Sequence, residues 1–211
     1  MTGEPGAYFI SLEGGEGAGK STQHARIVEW LKSAGREVVE TREPGGTPVS
    51  EQVRQVLLDT RNAGLDPVAE LLLMFAARAE HLAKVVWPAM QAGHWVLCDR
   101  FTDATYAYQG GGRGVPMDRI EKLEDWVQGE LRPNHTLLLD MPVADGLQRA
   151  GARSEPDRFE QEQHAFFERV RETYLARAKQ EPERIHVIDA SPALDVVQLH
   201  IAEVLQRILK S

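Results

Sequence analysis

The sequence has 211 residues, of which 42% are hydrophobic and 27% charged, a balance that supports a hydrophobic core and excludes an intrinsically disordered, collagen-like or low-complexity chain. This length favours one large domain, residues 1–211, over two small ones. The sequence has 24 lysine and arginine residues and 32 aspartate and glutamate residues, which gives a formal charge of −8. A surface with this net charge repels nucleic acids and anionic membranes as a whole. An anionic ligand must therefore bind at a local basic cluster.

Five short apolar runs predict buried strands, and helical patterns separate them. The strands are Ala7–Glu13, Glu37–Thr41, His94–Asp99, His135–Asp140 and Ile185–Asp189. The helical patterns are Ser21–Ser33, Glu51–Leu58, Ala69–Gln91, Asp118–Leu131, Val143–Ala152, Gln161–Lys179 and Leu194–Leu209. Pro88 is expected to end or kink the third of them. This alternation predicts an α/β fold in three layers, a five-stranded parallel sheet with helices on both faces, which binds ligands beyond the carboxyl ends of its strands.

A glycine-rich loop joins the first strand to the first helix. Its sequence, Gly14-Gly15-Glu16-Gly17-Ala18-Gly19-Lys20-Ser21, has the spacing of a phosphate-binding loop (P-loop). The glycines allow consecutive backbone N–H groups to face a polyphosphate, above the positive end of the helix. We expect Lys20 to bind the β- and γ-phosphates and the Ser21 hydroxyl to coordinate the bridging Mg²⁺. The loop, with Thr22 after it, predicts an ATP site. It leaves open whether the nucleotide donates a phosphoryl group, switches the protein between conformations, or is hydrolysed to drive motion.

Charged residues follow the second and third strands at the same edge of the predicted sheet. Arg42 and Glu43 stand on a turn stiffened by Pro44, and Asp99 and Arg100 end the third strand. An isolated Asp-Arg pair is more often an ion pair with its neighbours. Beside a P-loop, however, the carboxylate can hold a metal through water, and the guanidinium can bind two oxygens of a second phosphate.

Four motifs make the sequence similar to the thymidylate kinase family, in its bacterial-type form with a basic lid. They are the loop Glu13–Ser21, the turn Arg42-Glu43-Pro44-Gly45-Gly46-Thr47, the segment Met74-Phe75-Ala76-Ala77-Arg78, and Asp99-Arg100-Phe101 with Thr105–Gly114 downstream. The resemblance runs from Tyr8 to about Asp189. It implies a P-loop NTPase fold, a homodimer, and phosphorylation of dTMP to dTDP with ATP and Mg²⁺, which supplies dTTP synthesis for DNA replication.

The resemblance also implies how dTMP is bound. Its phosphate would be surrounded by three arginines, Arg42, Arg54 and Arg100. Glu43 would lie near the sugar and its 3′-hydroxyl, and Tyr108 would occupy the place of a ribose 2′-hydroxyl.

For the base, the resemblance assigns Arg78 to thymine O4, and Thr105 and Gln109 to the ring edge. Many relatives have a stacking aromatic residue four positions before this arginine, where the present chain has Met74. Phe75 stands three positions before it, on the same helix face, and is assigned to stacking, with burial in the core as the alternative.

The P-loop contains no arginine, so we expect a basic lid, at about residues 149–160, to supply one. Of its three arginines, Arg153 matches the position that would reach the transferred phosphoryl group, and Arg149 would also contact ATP. A solvated helix face is the alternative for all three arginines, with more weight for Arg149 and Arg158 than for Arg153. Glu13 resembles the family's acid that helps to position metal or substrate.

Alternatives remain open at this point. The same chemistry on dUMP or another nucleotide, a nucleotide-hydrolysing switch or motor, and a non-catalytic nucleotide-binding module all fit a P-loop. Gly110–Gly114 is equally consistent with backbone close to a ligand and with a plain turn. Cys98 is the only cysteine, and Met1–Gly6 contains no basic region followed by an apolar run, so a cytoplasmic location is expected.

Overall fold

The computed structural model describes residues 7–151 and 157–210. Five parallel strands form one sheet in the order β2-β3-β1-β4-β5. They are β1 (Phe9–Gly14), β2 (Val38–Arg42), β3 (Trp95–Asp99), β4 (His135–Asp140) and β5 (Ile185–Asp189). The predicted strands and the α/β class are confirmed, with strand ends that differ from the prediction by at most two residues.

Nine α-helices occur in the described residues. They are α1 (Lys20–Ser33), α2 (Pro48–Leu58), α3 (Pro67–His81), α4 (Trp87–Gln91), α5 (Thr102–Thr105), α6 (Met117–Gln128), α7 (Val143–Gly151), α8 (His164–Gln180) and α9 (Leu194–Ile208). Two π-helical segments, Leu82–Val86 and Tyr106–Gly112, and a 3₁₀ turn, Thr60–Asn62, accompany them. In the part of the chain that the structure describes, no helix is both long and apolar enough to cross a membrane.

Alternating side chains of the central strand β1 divide the core into two layers. Leu12 packs with Ile27 of α1 and Ile201 of α9 on one face of the sheet, and all three are fully buried. Phe9 packs on the other face, against Leu82 and neighbouring residues. Burying each such side chain contributes about 1.5 to 3 kcal/mol to folding. The three-layer arrangement therefore follows from the period of two along the strand.

Two helices begin earlier than predicted because local caps start them. The Thr47 side chain accepts a hydrogen bond from Ser50 N, with Pro48 as the first helical residue of α2. The Asp66 side chain accepts from two backbone N–H groups at the start of α3, where Pro67 follows. A capping side chain followed by proline is a strong helix start that apolar periodicity does not detect.

The long helix predicted at Ala69–Gln91 is interrupted, but upstream of Pro88. Helix α3 ends at His81, the π-helical segment Leu82–Val86 follows, and Pro88 lies in the first turn of α4. Proline has no N–H to donate to the preceding turn, and a widened π turn accommodates that loss.

Gly111 and Gly112 of the π-helical segment Tyr106–Gly112 pack against a neighbouring helix, whereas Gly114 has a φ angle of 77°, as a turn glycine does. A Cβ atom at Gly111 would lie 2.1 Å from Thr173 Oγ1, and one at Gly112 would lie 2.5 Å from the Phe166 ring. Both contacts are with α8, so the missing side chains allow the π-helical segment to pack closely on that helix.

Candidate functional site

The P-loop lies between β1 and α1. Gly17 and Gly19 have φ angles of 70° and 86°, and a Cβ atom at Gly17 would lie 1.9 Å from Gly146 O. No side chain caps the first turn of α1, where Ser21 and Thr22 are exposed, so its N–H groups are free to bind an anion. The loop conformation therefore depends on glycine and leaves a helix N-terminus open to a phosphate.

Lys20 is held within the loop. Its Nζ donates to Gly14 O at 3.0 Å and to Gly15 O at 2.9 Å. Burial, followed by the nearby charge of Arg100, lowers the pKa of Lys20. A buried cation that is repelled by a neighbouring cation is stabilised when an anion binds beside it.

The turn after β3 directs two functional groups toward the loop. Arg100 has a φ angle of 67°. A backbone hydrogen bond from Arg100 N to Leu12 O (3.0 Å) and a bond from Phe101 N to the Glu13 side chain (Oε1, 2.7 Å) hold this conformation. Asp99 Oδ1 is buried and has no hydrogen-bond partner in the described residues. This orphaned carboxylate oxygen, near Ser21 on the cleft wall, is suited to a cation or its water.

Glu16 of the loop pairs with Arg100. Arg100 Nη2 donates to Glu16 Oε1 at 2.7 Å, and the Tyr108 hydroxyl donates to the same oxygen at 2.7 Å. Burial alone would raise the pKa of Glu16, but the charges of Arg100 and Lys20 outweigh it and lower the pKa to about 2. Glu16 is thus an anion that already occupies part of the basic cluster.

A cleft of about 340 Å³ contains the P-loop at one end and Arg42, Arg54 and Arg100 along its wall. Arg54 Nη1 donates to Pro44 O at 2.9 Å, and Arg42 pairs with Glu51 at 2.9 Å. Burial, and then the charge of Arg42, lowers the pKa of Arg54. The three arginines predicted to bind the second phosphate therefore line one cleft.

The cleft lining also includes Met74, Ala104, Tyr108 and Gln109. Phe75, which we expected to stack on a base, is instead a core residue packed with Leu71 and its neighbours. Adjacent helical residues point about 100° apart, so only one of the pair reaches the cleft. The residue at the family's aromatic position, Met74, is the one that does.

Arg78 does not line the cleft either. It is fully buried and donates through Nε to Glu43 Oε2 (2.7 Å), through Nη1 to Gln128 Oε1 (3.2 Å) and through Nη2 to Thr105 Oγ1 (2.8 Å). Thr105 is likewise fully buried behind the wall. These two predicted base contacts form an internal network in this structure.

Glu43 lines the cleft, but both of its carboxylate oxygens are engaged. Its second oxygen lies 2.8 Å from His81 Nδ1, and the other nitrogen of this buried histidine lies 2.6 Å from Thr41 Oγ1. The sequence analysis missed His81, because a histidine at a helix end carries no motif. Arg78 and His81 together orient Glu43 at the sugar end of the predicted dTMP site.

Arg153 lies outside the described residues, and the other lid arginines are tethered. Arg149 donates to Ala190 O (3.1 Å) and Ser191 O (2.8 Å), in the loop before α9. Arg158, for which a solvated helix face was the alternative, is 2% exposed and donates through Nε to Leu57 O at 2.6 Å. The segment that carries it lines the cleft with Asp157, Phe159 and Glu160.

Glu13 lies behind the cleft instead of facing it. It is fully buried, and its oxygens accept from Phe101 N (2.7 Å) and the Tyr174 hydroxyl (2.8 Å). Burial, with a contribution from nearby Asp103, raises its pKa to about 7. Glu13 therefore contacts the turn that positions Arg100, and its predicted part in positioning metal or substrate stays a prediction.

Within residues 7–151 and 157–210, no three histidine, cysteine, aspartate or glutamate residues converge as a metal site. Cys98 is buried, and burial raises the pKa of its thiol well above the usual range. Ser21 and Asp99, the two residues predicted to bind a metal, both line the cleft.

Comparisons with known proteins agree with this geometry. The family model described as thymidylate kinase matches residues 12–201. A thymidylate kinase of Alkalilimnicola ehrlichii is 57% identical over 93% of this chain and 91% of its own length. One of Pseudomonas syringae pv. tomato is 55% identical over 100% of this chain and 98% of its own.

A solved structure is also similar in fold. The crystal structure of thymidylate kinase from Ehrlichia chaffeensis has a TM-score of 0.77 and 37% sequence identity. The match covers 96% of this chain and 99% of that one. The likeness therefore extends to the whole sheet and its helices.

Proposed function

This chain belongs to the thymidylate kinase family, and we propose that it transfers the terminal phosphoryl group of ATP to dTMP, giving dTDP and ADP. The observation that carries the proposal is a single cleft lined both by the P-loop and by three arginines, which we propose to be two anion sites. A hydrolase or a switch needs only the first of these sites. A kinase needs both, because two anionic substrates must be brought together in line.

In the proposed step, a phosphate oxygen of dTMP attacks the γ-phosphorus of ATP. A new P–O bond forms, the bond from the γ-phosphorus to its bridging oxygen breaks, and ADP leaves with the electron pair. Lys20 and Arg100 would stabilise the charge that spreads over the transferred group. Arg42 and Arg54 would hold the acceptor phosphate, and Arg153 of the lid would close over the donor.

Mg²⁺ is proposed to enter with ATP. When bound, it would neutralise charge on the β- and γ-phosphates. The Ser21 hydroxyl and the unpartnered Asp99 Oδ1 fit this ion, because both are hard oxygen ligands on the same wall. Asp99 would hold it directly or through water.

For the nucleoside of dTMP, we propose that Tyr108 excludes a ribose 2′-hydroxyl and Gln109 reads the base edge. Both side chains line the cleft and both are buried. Met74 replaces Phe75 as the proposed contact with the thymine face. Arg78 and Thr105 would act indirectly, because Arg78 is hydrogen-bonded both to Glu43 and to Thr105 and would orient the cleft residue Glu43.

A homodimer is the proposed assembly. Val68, Leu72, Ala76 and Ala79 form an exposed apolar stripe along α3, and Leu72 is 51% exposed. Spacings of four, four and three residues place them on one helix face. A contiguous apolar stripe on a surface helix favours burial against a second copy.

We further propose one catalytic domain over residues 1–211 that works in the cytoplasm and supplies dTTP synthesis for DNA replication. The single sheet, to which the described helices are connected directly or through a series of other helices, supports one domain. The buried, unpaired thiol of Cys98 is compatible with a reducing compartment.

The decisive experiment measures ADP release from ATP and Mg²⁺ with and without dTMP. We expect release to depend on dTMP and dTDP to form in equal amount. ADP without dTMP dependence would indicate a hydrolase, and no ADP a binding module. Faster turnover of dUMP than of dTMP would reassign the substrate.

A further inference from the structure

A buried carboxylate, Glu70 of α3, lies behind the base end of the cleft. Gln109 Nε2 donates to Glu70 Oε1 at 2.8 Å. Arg113 Nε lies 3.2 Å, and Arg158 Nη2 2.7 Å, from Glu70 Oε2. The Arg158 contact is an ion pair without hydrogen-bond alignment, since that nitrogen has no hydrogen-bond partner among the described residues. Glu162 pairs with Arg113, so two carboxylates balance two guanidiniums.

Glu70 dictates which way the Gln109 amide points. A carboxylate between two guanidiniums can only accept hydrogen bonds, so the amide must present its NH₂ group to Glu70. Gln109 Oε1 then points away from Glu70. This oxygen is buried and has no hydrogen-bond partner among the described residues, and Gln109 lines the cleft. A residue of the cleft lining therefore carries a buried acceptor without a donor among the described residues.

We propose that Glu70 is a positioning residue for base selection, one that locks Gln109 with its carbonyl oxygen toward the ligand. Thymine presents an N3–H donor, which this oxygen can accept. Cytosine presents an unprotonated N3 acceptor, which this oxygen repels. An unlocked amide could turn and offer its NH₂ group to cytosine, so the lock itself contributes to discrimination. The inference rests on the proposed function, because it names the substrate edge that the same cleft reads.

The test compares kcat/KM for dTMP and dCMP in the wild type and in Glu70→Gln. The new amide can donate to Gln109 Oε1, so Gln109 is free to turn. We expect the preference for dTMP over dCMP to fall about tenfold, mainly through KM. Glu162→Gln is the matched control, because it removes a negative charge from the same cluster without touching Gln109. Its preference should stay unchanged.

A double-mutant cycle separates positioning from a general structural effect. In a Gln109→Met background no amide remains to be locked, so Glu70→Gln should leave the preference unaltered. An equal loss of kcat/KM for both nucleotides, or the same shift in preference without Gln109, overturns the proposal. Should Glu70→Gln not fold, Glu70→Asp keeps the charge beside the arginines, withdraws the carboxylate by one methylene and gives the same readout. A wild type without dTMP-dependent ADP release contradicts the proposed function instead.

Discussion

Replacing Glu13 by glutamine should remove a pH dependence from the stability of the fold. Burial raises the pKa of this carboxyl from 4.5 to about 7, so the folded protein keeps a proton that the unfolded chain releases near pH 4.5. Unfolding in this interval releases the proton, and a rise in pH therefore favours the unfolded state. The stabilisation is fully present below about pH 4.5 and is lost as the pH rises through about 7.

The magnitude follows from the linkage relation. Each pH unit in that interval removes about 1.4 kcal/mol, so the free energy of unfolding should fall by about 3 kcal/mol in total relative to a non-titrating variant. Glutamine suits the site. Its carbonyl can accept from Phe101 N, and its NH₂ group can donate to the Tyr174 hydroxyl once that hydroxyl turns.

The assay is urea unfolding of both proteins, followed by tryptophan fluorescence from pH 4.5 to above 7. The difference in unfolding free energy should change across this interval and be constant above it. Tyr174→Phe is the matched control. It removes a hydrogen bond that lowers the pKa of Glu13, so its pH dependence should extend higher. A difference that does not vary with pH refutes the buried, protonated carboxyl.

Three further changes test other parts of the molecule. Arg153→Ala should lower kcat by about 10³-fold and change dTMP affinity little, because the proposed contact forms in the transition state; equal kcat in steady-state assays removes that role. Arg78→Ala should destabilise the fold by about 3 to 5 kcal/mol in urea, because it leaves buried Glu43 without its guanidinium, whereas exposed Arg61→Ala should not. Leu72→Glu should give a monomer by size-exclusion chromatography, while Leu199→Glu on α9 should not; an unchanged profile for Leu72→Glu places the interface elsewhere.

Much of the fold was predictable because its signals are local. Strand β4 contains three consecutive leucines between polar residues, and its bounds were predicted to the residue. The starts of α2 and α3 are also determined by local sequence, the capping pairs Thr47-Pro48 and Asp66-Pro67. Apolar periodicity does not detect such caps. The segment Tyr106–Gly112 was not predictable, because its glycines mark helix-to-helix contacts and these depend on where α8 lies.

In the site, too, the phosphate-binding part was predictable from local sequence, and the base-binding part was not. The sequence by itself determined the P-loop and the placement of Arg42 and Asp99, because parallel strands bring their carboxyl ends to one edge and glycine spacing defines the loop backbone. Only the tertiary structure decided that Met74 faces the cleft and that Arg158 is buried against Glu70. The first outcome depends on the orientation of α3 about its own axis, which is set by helix packing. The second depends on which charged residues, distant in sequence, are buried together. Neither can be predicted from a short stretch of sequence.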